Sequence, residues 1–455
     1  MRTQTRLNPL SLPIAFFGAV IAAGTIALHL DVSTAGGAVS WIDALFTATS
    51  ATCVTGLAVV DTGGRFSIFG QGAILTMIQL GGLGIMTYTS LIFYLLHRRI
   101  SLTDRIAVAQ GLLHDMSFNL GRFLMGITAW TLIIEAVAAA ALHGMAPERF
   151  SGFSAVFHAV SAFCNAGFSL FPDSLMGFQT DWGINAVFMV LIVSGGIGFS
   201  VLMEMAGRFR NRMIRRWQKP RQKRPMSWYS LLVLRTTAFL IVAGWMALFL
   251  AEYIGYPRDL PGSTELLTAL FQSVTCRTAG FNTLDIGRMT NVSLLVMMLL
   301  MFVGGAPGSC AGGIKITTFR ALGAFVIAHV KGRRQAVIGR FALDRRTVNK
   351  ALSLLTFSVL IVLAATLVLN ITEGGEVPHP LARGLFLDIL FEVVSAFGTV
   401  GLSTGLTPHL TVAGKLIIAA MMFVGRLGPI LIVAALASYQ SEYRYRWPEE
   451  SMLVG

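Results

Sequence analysis

Ser50-Ala-Thr-Cys-Val-Thr-Gly56-Leu57, Ser161-Ala-Phe-Cys-Asn-Ala-Gly167-Phe168, Ser273-Val-Thr-Cys-Arg-Thr-Ala-Gly280-Phe281 and Ser395-Ala-Phe-Gly-Thr-Val-Gly401-Leu402 are four versions of one pattern. In each, a serine is followed six or seven residues later by a glycine and an apolar residue. The glycines lie 111, 113 and 121 residues apart, so one unit recurs four times along 455 residues. Four copies of a unit can close a ring, and a ring of backbone loops can hold a cation.

Each pattern follows a short apolar segment, about Trp41 to Thr52, Phe150 to Phe163, Glu265 to Thr275 and Arg383 to Phe397. Helices of ~11 to 15 residues are about 20 Å long, too short for a hydrocarbon core of about 30 Å. Such a helix enters a bilayer and stops near its middle. The chain must return as non-helical backbone, which is tolerated there only when buried in protein or lining a cavity.

A membrane setting follows independently from composition. The chain is 55 % hydrophobic and 13 % charged, with a mean hydropathy of +0.70. Apolar runs long enough to span extend from about Leu10 to Leu30, Phe66 to Leu96, Gly121 to Leu142, Gly183 to Met205, Leu231 to Ala251, Ala351 to Asn370 and Ala413 to Ala437. An eighth is interrupted: Asn291 to Val303, a glycine-rich break at 304–313, and Ile314 to Val330. The expectation is an all-α polytopic protein with eight transmembrane helices. Four tandem repeats (10–96, 121–206, 229–330 and 350–438) would surround one central pore in a pseudo-four-fold arrangement, and 439–455 would form a cytoplasmic tail. The apolar run after Arg2 and Arg6 is too long for a cleaved signal peptide and reads as the first outer helix.

The net charge is +13, but its placement argues against nucleic acid. Basic clusters occur at Arg98, Arg99 and Arg105, from Arg208 to Arg224, from Lys331 to Arg346, and at Arg444 and Arg446. All follow the second long helix of a unit. That asymmetry places these loops and both termini in the cytoplasm. The loops on the other side hold Asp31, Asp173, Glu252, Glu373 and Glu376 with fewer bases.

Glycine ends every pattern because it accepts positive φ and puts no side chain in the path. The loops Val54-Thr55-Gly56, Asn165-Ala166-Gly167, Thr278-Ala279-Gly280 and Thr399-Val400-Gly401 would present rings of carbonyl oxygens in place of an ion's hydration shell. Cys53, Cys164, Arg277 and Gly398 begin the four loops. The short helices direct their partly negative C-terminal ends at the same cavity. Both fields favour cations.

A second glycine-rich element recurs 24 to 28 residues after each loop glycine: Gly81-Gly-Leu-Gly84, Gly195-Gly-Ile-Gly198, Gly304-Gly-Ala-Pro-Gly308 and Gly425-Arg-Leu-Gly428. Close helix packing is one reading of the glycines in the first two copies. Arg426 stands where the other copies have glycine, near the middle of an apolar span, and intramembrane charges face a cavity or a partner. A fixed cation ~5 Å from a passing ion, at an effective dielectric near 20, raises its energy by roughly 3 kcal/mol. Arg426 would then restrain conduction, or hold helices together through a salt bridge or carbonyl contacts, or do both. The break opposite it, Gly304, Gly305, Ala306, Pro307, Gly308, Ser309, Cys310, Ala311, Gly312 and Gly313, cannot continue a helix, and Lys315 follows at once.

This succession of helix, re-entrant helix, glycine loop and helix in four unequal copies resembles the KtrB/TrkH/HKT superfamily of potassium transporters, and is most like its KtrB branch. The resemblance runs from Ser11 to the ending Trp447-Pro-Glu-Glu-Ser-Met-Leu-Val-Gly455. It implies a selectivity filter at the four loops that prefers potassium, since Gly56 stands where serine accompanies sodium. It implies that 304–313 is an intramembrane gating loop; Ala306 and Cys310 stand where small hydroxyl residues are frequent. It further implies a homodimer on a cytosolic nucleotide-binding regulatory ring, K⁺ as the transported ion and Na⁺ as an activator or coupled ion. No G-x-G-x-x-G motif opens a strand–helix unit in this chain, so no cofactor is expected in it. The basic loops suit either a docked protein or anionic lipid.

Two other classes match parts of the sequence. Gly401-Leu-Ser403-Thr-Gly405, with His409 nearby, matches a nucleophile elbow. That motif needs a strand-turn-helix setting, and the equivalent residues Ala58, Ser169 and Asn282 share no nucleophile. A secondary transporter with obligatory Na⁺ or H⁺ coupling also uses repeats and broken helices. Cys53, Cys164, Cys276 and Cys310 lack metal-ligand spacing, and the three within the repeated pattern, Cys53, Cys164 and Cys276, read as small side chains behind tight loops.

Overall fold

Residues 11–83, 120–214, 225–255, 262–374 and 384–428, with 378, 380 and 382, are described by the computed structural model. The basic residues Arg98, Arg99, Arg105, Arg444 and Arg446, the run beyond Ile214, the second span beyond Leu83, the last span beyond Gly428 and the tail lie outside them.

The first quarter comprises α1 (Ser11–His29), α2 (Trp41–Thr52), a single turn α3 (Thr62–Arg65) and α4 (Ile68–Gly82). The second holds α5 (Leu120–Met145), α6 (Gly152–Phe163), α7 (Trp182–Gly196) and α8 (Phe199–Ile214). The third holds α9 (Trp228–Gly255), α10 (Gly262–Thr275), α11 (Asn291–Phe302) and α12 (Ile316–Val330). The last holds α13 (Arg345–Gly374), α14 (Leu385–Gly398) and α15 (Val412–Leu427). Between α12 and α13, Val337–Ile338 pairs with Phe341–Ala342 as a small hairpin within the basic stretch.

Three segments, Met125–Met145, Trp228–Glu252 and Arg345–Gly374, are long and apolar enough to cross a membrane. They are the peripheral helices: about a third or less of each apolar window is covered by protein, and Leu132, Val137, Phe239, Met246, Leu363 and Leu367 project outward. The short helices α2, α6, α10 and α14 are instead buried on nearly all sides, by residues such as Phe46, Phe157, Phe271 and Phe391.

Side-chain caps start the helices that follow the loops. Ser67, Asp181, Thr290 and Thr411 each accept the backbone N–H three residues on, from Gly70, Ile184, Ser293 and Gly414, which satisfies one of the amides a helix start leaves open. Packing then runs in a circle. Helix α4 rests on α6, α7 on α10, α11 on α14, and α15 returns to α2.

Two helices depart from straight spans. The apolar run Gly183 to Met205, read from sequence as one span, bends by 113° between α7 and α8. Gly198 turns the chain at φ 89°, and the amide of Phe199 donates to the Gly308 carbonyl at 2.9 Å, so the 304–313 segment occupies the space a continuing helix would need. Between α11 and α12 the chain is non-helical, with Gly304 N donating to Ile314 O at 2.8 Å across the base of the loop.

Candidate ion-binding site and the loop beneath it

The loops that follow α2, α6, α10 and α14 share one backbone conformation. Gly56, Gly167, Gly280 and Gly401 have φ of 96°, 70°, 81° and 90°. Two residues earlier, Val54, Asn165, Thr278 and Thr399 also have positive φ, at 57°, 59°, 69° and 49°. Among the described residues only Ser174 is a further non-glycine of this kind. The intervening Thr55, Ala166, Ala279 and Val400 are not left-handed, and alternating hand turns successive carbonyls toward one side. Three of the four strained residues are β-branched, for which a positive φ is a genuine outlier; strain of this sort collects at functional sites.

Hydrogen bonds turn the amides away from that side. Thr55, Ala166 and Val400 donate their N–H to the carbonyls of Ser50, Ser161 and Ser395 at 2.8, 2.7 and 2.8 Å. Gly56 and Gly401 donate to the hydroxyls of Ser50 and Ser395, both at 3.1 Å, while the Ser161 hydroxyl donates to Phe168 O at 2.7 Å. In the third loop this work falls to Thr275, not Ser273. Ala279 N donates to Thr275 O at 2.9 Å, and the Thr275 hydroxyl donates to Phe281 O at 2.6 Å. Ser273 instead donates to Ile241 O on α9. Spacing alone offers two hydroxyls on either side of a one-residue insertion and does not choose between them.

The four loops meet. A Cβ on Gly56 would lie 2.9 Å from Gly167 Cα, one on Gly167 would lie 3.0 Å from Gly280 Cα, one on Gly280 would lie 3.4 Å from Gly401 Cα, and one on Gly401 would lie 2.9 Å from Gly56 Cα. Each would also press on the carbonyl before the next glycine: Ala166, Ala279, Val400 and Thr55. A closed ring of four glycines, with one such oxygen from each loop beside it, is the result. The side chains of Val54, Thr55, Asn165, Ala166, Thr278, Ala279, Thr399 and Val400 are all buried. On the side away from the short helices, a cavity of about 310 Å³ opens onto all four glycines and is also lined by Asp61, Asp285, Ser169, Asn282 and Ser403.

The 304–313 segment lies on the other side of the ring. A Cβ on Gly312 would collide with the Thr399 side chain, one on Gly313 would touch Gly398 Cα at 3.4 Å, and one on Gly304 would lie 3.5 Å from Thr278 Cγ2. The loop is tied to α7 by Ala306 N to Gly196 O at 2.9 Å and Cys310 N to Gly195 O at 3.1 Å. Arg277 donates to Gly304 O at 3.0 Å, Ser309 Oγ accepts from Ala311 N at 3.3 Å, and Lys315 donates to Ala311 O. Gly305 O accepts from Ile316 N at 3.1 Å. Pro307 and Gly308 sit against Gly198, with Tyr229 donating to Pro307 O.

Arg426 reaches this loop from α15. Its guanidinium donates to Cys310 O and to Gly81 O at the end of α4. Of the roles open to it, carbonyl contacts are the ones seen. The repeated glycines also have a packing reason: a Cβ on Gly81, Gly195 or Gly425 would overlap the carbonyl of Thr52, Phe163 or Phe397, at or beside the end of the adjoining short helix. Gly84 lies outside the described residues. Ser403 follows a helix rather than a strand, and its hydroxyl meets Glu392, Gly405 and Thr407, with no histidine among these partners. No group of three or more His, Cys, Asp or Glu suited to a metal occurs among the described residues.

A helical membrane protein with a closed ring of backbone loops at its centre, a cavity on one side and a folded loop on the other, is built to pass something small and charged. The chain belongs to the TrkH family: the family model described as a cation transport protein matches residues 3–443. It is similar to the Ktr system potassium uptake protein B of Bacillus subtilis, 41 % identical over 98 % of this chain and 96 % of that protein. It is 36 % identical to the potassium/sodium uptake protein NtpJ of Enterococcus hirae, over 100 % of this chain and 99 % of that protein. The crystal structure of the potassium transporter TrkH from Vibrio parahaemolyticus has the same fold, with a TM-score of 0.75 at 19 % identity over 96 % of this chain and 86 % of that one.

Proposed function

We propose that this chain is the ion-translocating membrane subunit of a potassium uptake system, conducting K⁺ through a filter made by Val54–Gly56, Asn165–Gly167, Thr278–Gly280 and Thr399–Gly401. The observation that carries this reading is the ring: four glycines at positive φ, each within van der Waals reach of the next. Oxygens fixed in such a ring replace water around a monovalent cation without reorganising. Four tandem repeats fit the circular packing of α4, α7, α11 and α15 on the neighbouring short helices; eight spans with both termini cytoplasmic rest on the placement of the basic loops. The names of the Bacillus and Enterococcus relatives support K⁺ as the cargo, and the latter supports a role for Na⁺.

Residues 304–313, Lys315 and Arg426 form the gate in this reading, because the loop lies directly against Thr399 and Thr278 and is pinned by Arg426. A homodimer seated on a separate nucleotide-binding subunit, with lipid at the remaining basic loops, completes the proposed assembly; the Ktr system names of two Bacillus relatives are consistent with a multi-subunit system. The test is tracer flux in proteoliposomes. Uptake driven by a K⁺ gradient alone, weakened by Gly401→Ala, supports channel-like permeation. Uptake that stops without Na⁺ or H⁺ and obeys a fixed stoichiometry at zero net gradient replaces it with a coupled symporter.

A further inference from the structure

Among the buried ionisable side chains that the filter reading leaves without a role, two occupy matching places. Glu392 on α14 lies nine residues before Gly401, and His158 on α6 lies nine residues before Gly167. Both are fully buried. Each reaches the serine two residues beyond its glycine. Glu392 accepts from the Ser403 hydroxyl and, at 2.8 Å, from the Thr407 hydroxyl. His158 Nε2 lies 3.1 Å from Ser169 Oγ and accepts from Leu170 N at 3.2 Å, while its Nδ1 meets Ser154 O at 2.8 Å.

The other two quarters lack this device. In the first, the corresponding Thr47 hydroxyl finds no partner and Ala58 offers none. In the third, Asn282 is held by its own neighbourhood, its amide donating to Leu284 O at 3.0 Å and its N–H to Ser174 Oγ at 3.3 Å. Packing runs first to second to third to fourth and back to first, so the two clamped loops face each other across the ring.

We propose that Glu392 is a positioning residue, with His158 its counterpart, that holds the exit of the filter loop at the spacing K⁺ requires; the inference rests on the filter reading above. Val400 and Gly401 are fixed from below by the Ser395 carbonyl and hydroxyl, but the chain beyond Gly401 runs over the cavity, where Leu402, Ser403, Thr404 and Gly405 form part of the wall. Glu392 is the post to which that wall is tied, through Ser403, whose oxygen in turn accepts from Gly405 N at 2.9 Å. A carboxylate is acceptor-only and can take both hydroxyl donors together. An apolar residue there leaves both hydroxyls without that acceptor inside protein, a costly arrangement, and frees the loop to change the spacing of its oxygens.

The experiment measures K⁺ uptake and K⁺/Na⁺ discrimination in proteoliposomes at equal reconstituted protein for Glu392→Ala, Glu392→Gln, Ser403→Ala and the double variant Glu392→Ala with Ser403→Ala. The expected result is a roughly tenfold rise in KM for K⁺ and a similar loss of discrimination in Glu392→Ala, at a maximal rate within about twofold, with Ser403→Ala giving most of that loss and the double variant adding little. Gln can accept from one hydroxyl and donate to the other oxygen, so it restores most of the affinity. Unaltered KM and discrimination in Ser403→Ala overturn the proposal, even where Glu392→Ala yields too little protein to assay. So does a loss in Glu392→Ala confined to maximal rate, or a failure of Gln to rescue. Gly401→Ala run in parallel separates the two readings: if it weakens K⁺ affinity and Ser403→Ala does not, the clamp fails and the filter stands; if neither does, both fail.

Discussion

Replacing Arg426 with alanine should open the pathway. The guanidinium makes two hydrogen bonds, to Cys310 O in the loop and Gly81 O on α4, and bonds from a charged donor each contribute about 1.5 to 3 kcal/mol net. Removing both costs the closed arrangement roughly 3 to 6 kcal/mol. The loop keeps its backbone ties from Ala306 and Cys310 to Gly196 and Gly195, and from Gly304 to Ile314, so it does not unfold; it loses the clasp on the side facing α15. Removing the cation also lowers the energy of an ion beneath the ring by roughly 3 kcal/mol if it passes ~5 Å away. Since 1.4 kcal/mol is about tenfold in an equilibrium, even half of the lost bonding predicts a rise in flux on the order of tenfold to a hundredfold. The assay is rubidium-tracer uptake into K⁺-loaded liposomes, normalised to inserted protein. Arg426→Lys should fall between, because a point charge on a flexible stem does not reproduce the guanidinium's two-pronged contact. A flux within twofold of the parent for Arg426→Ala, with only thermal stability lowered, would show that the arginine is a staple and not part of a gate.

Gly312→Ala places a Cβ against the Thr399 side chain, so the loop must back away from the ring; a raised basal flux is expected, and parental flux refutes the contact. Gly56→Ser combines a φ of 96° with a side chain pressed on Ala166 O, and should reduce K⁺ over Na⁺ discrimination at least severalfold in competition uptake. Thr275→Val deletes the donor to Phe281 O without changing shape and should raise the KM for K⁺, whereas Ser273→Ala, which removes the hydrogen bond to Ile241 O, should leave KM unchanged and lower stability by about 1 kcal/mol; the reverse ranking would restore Ser273 as the loop's anchor.

The short helices and the break were legible because length and glycine content leave the chain few choices. A segment of 11 to 15 apolar residues flanked by a loop pattern has no way to span a bilayer, and Gly304, Gly305, Pro307, Gly308, Gly312 and Gly313 deny a helix through the midplane. The left-handed conformations of Val54, Thr278 and Thr399 were not legible, because intrinsic preference for β-branched residues points the other way; they arise from contacts that local sequence does not carry. The 113° bend after α7 was hidden for a related reason. Its glycines were read as close packing, and the segment that displaces the helix lies over a hundred residues further along. Glu392 and His158 stand among apolar neighbours, and the one local sign of them is an ionisable residue nine positions before each of two loop glycines.

Why the four quarters differ follows from what meets beneath the ring. The loop belongs to the third quarter, its backbone is tied to Gly195 and Gly196 of the second, Arg426 comes from the fourth, and the arginine's other carbonyl, Gly81 O, is in the first. The proposed gate therefore draws on all four. Four-fold copies of Arg426 would bring four cations to one axis, and two like charges 5 Å apart at an effective dielectric near 20 already repel by roughly 3 kcal/mol. The positions that match Arg426 are Gly82, Gly196 and Gly305. A Cβ on Gly82 would overlap Cys164 Sγ, and one on Gly305 would lie 2.6 Å from Gly196 O and from Ala311 Cβ, so two of these places have no room for a long side chain and the third lends its carbonyl to the loop. The ring can be nearly symmetric because an ion is round. The loop below it cannot, because it comes from one quarter and is tied to unlike groups of its neighbours, the Gly195 and Gly196 carbonyls and the Arg426 guanidinium.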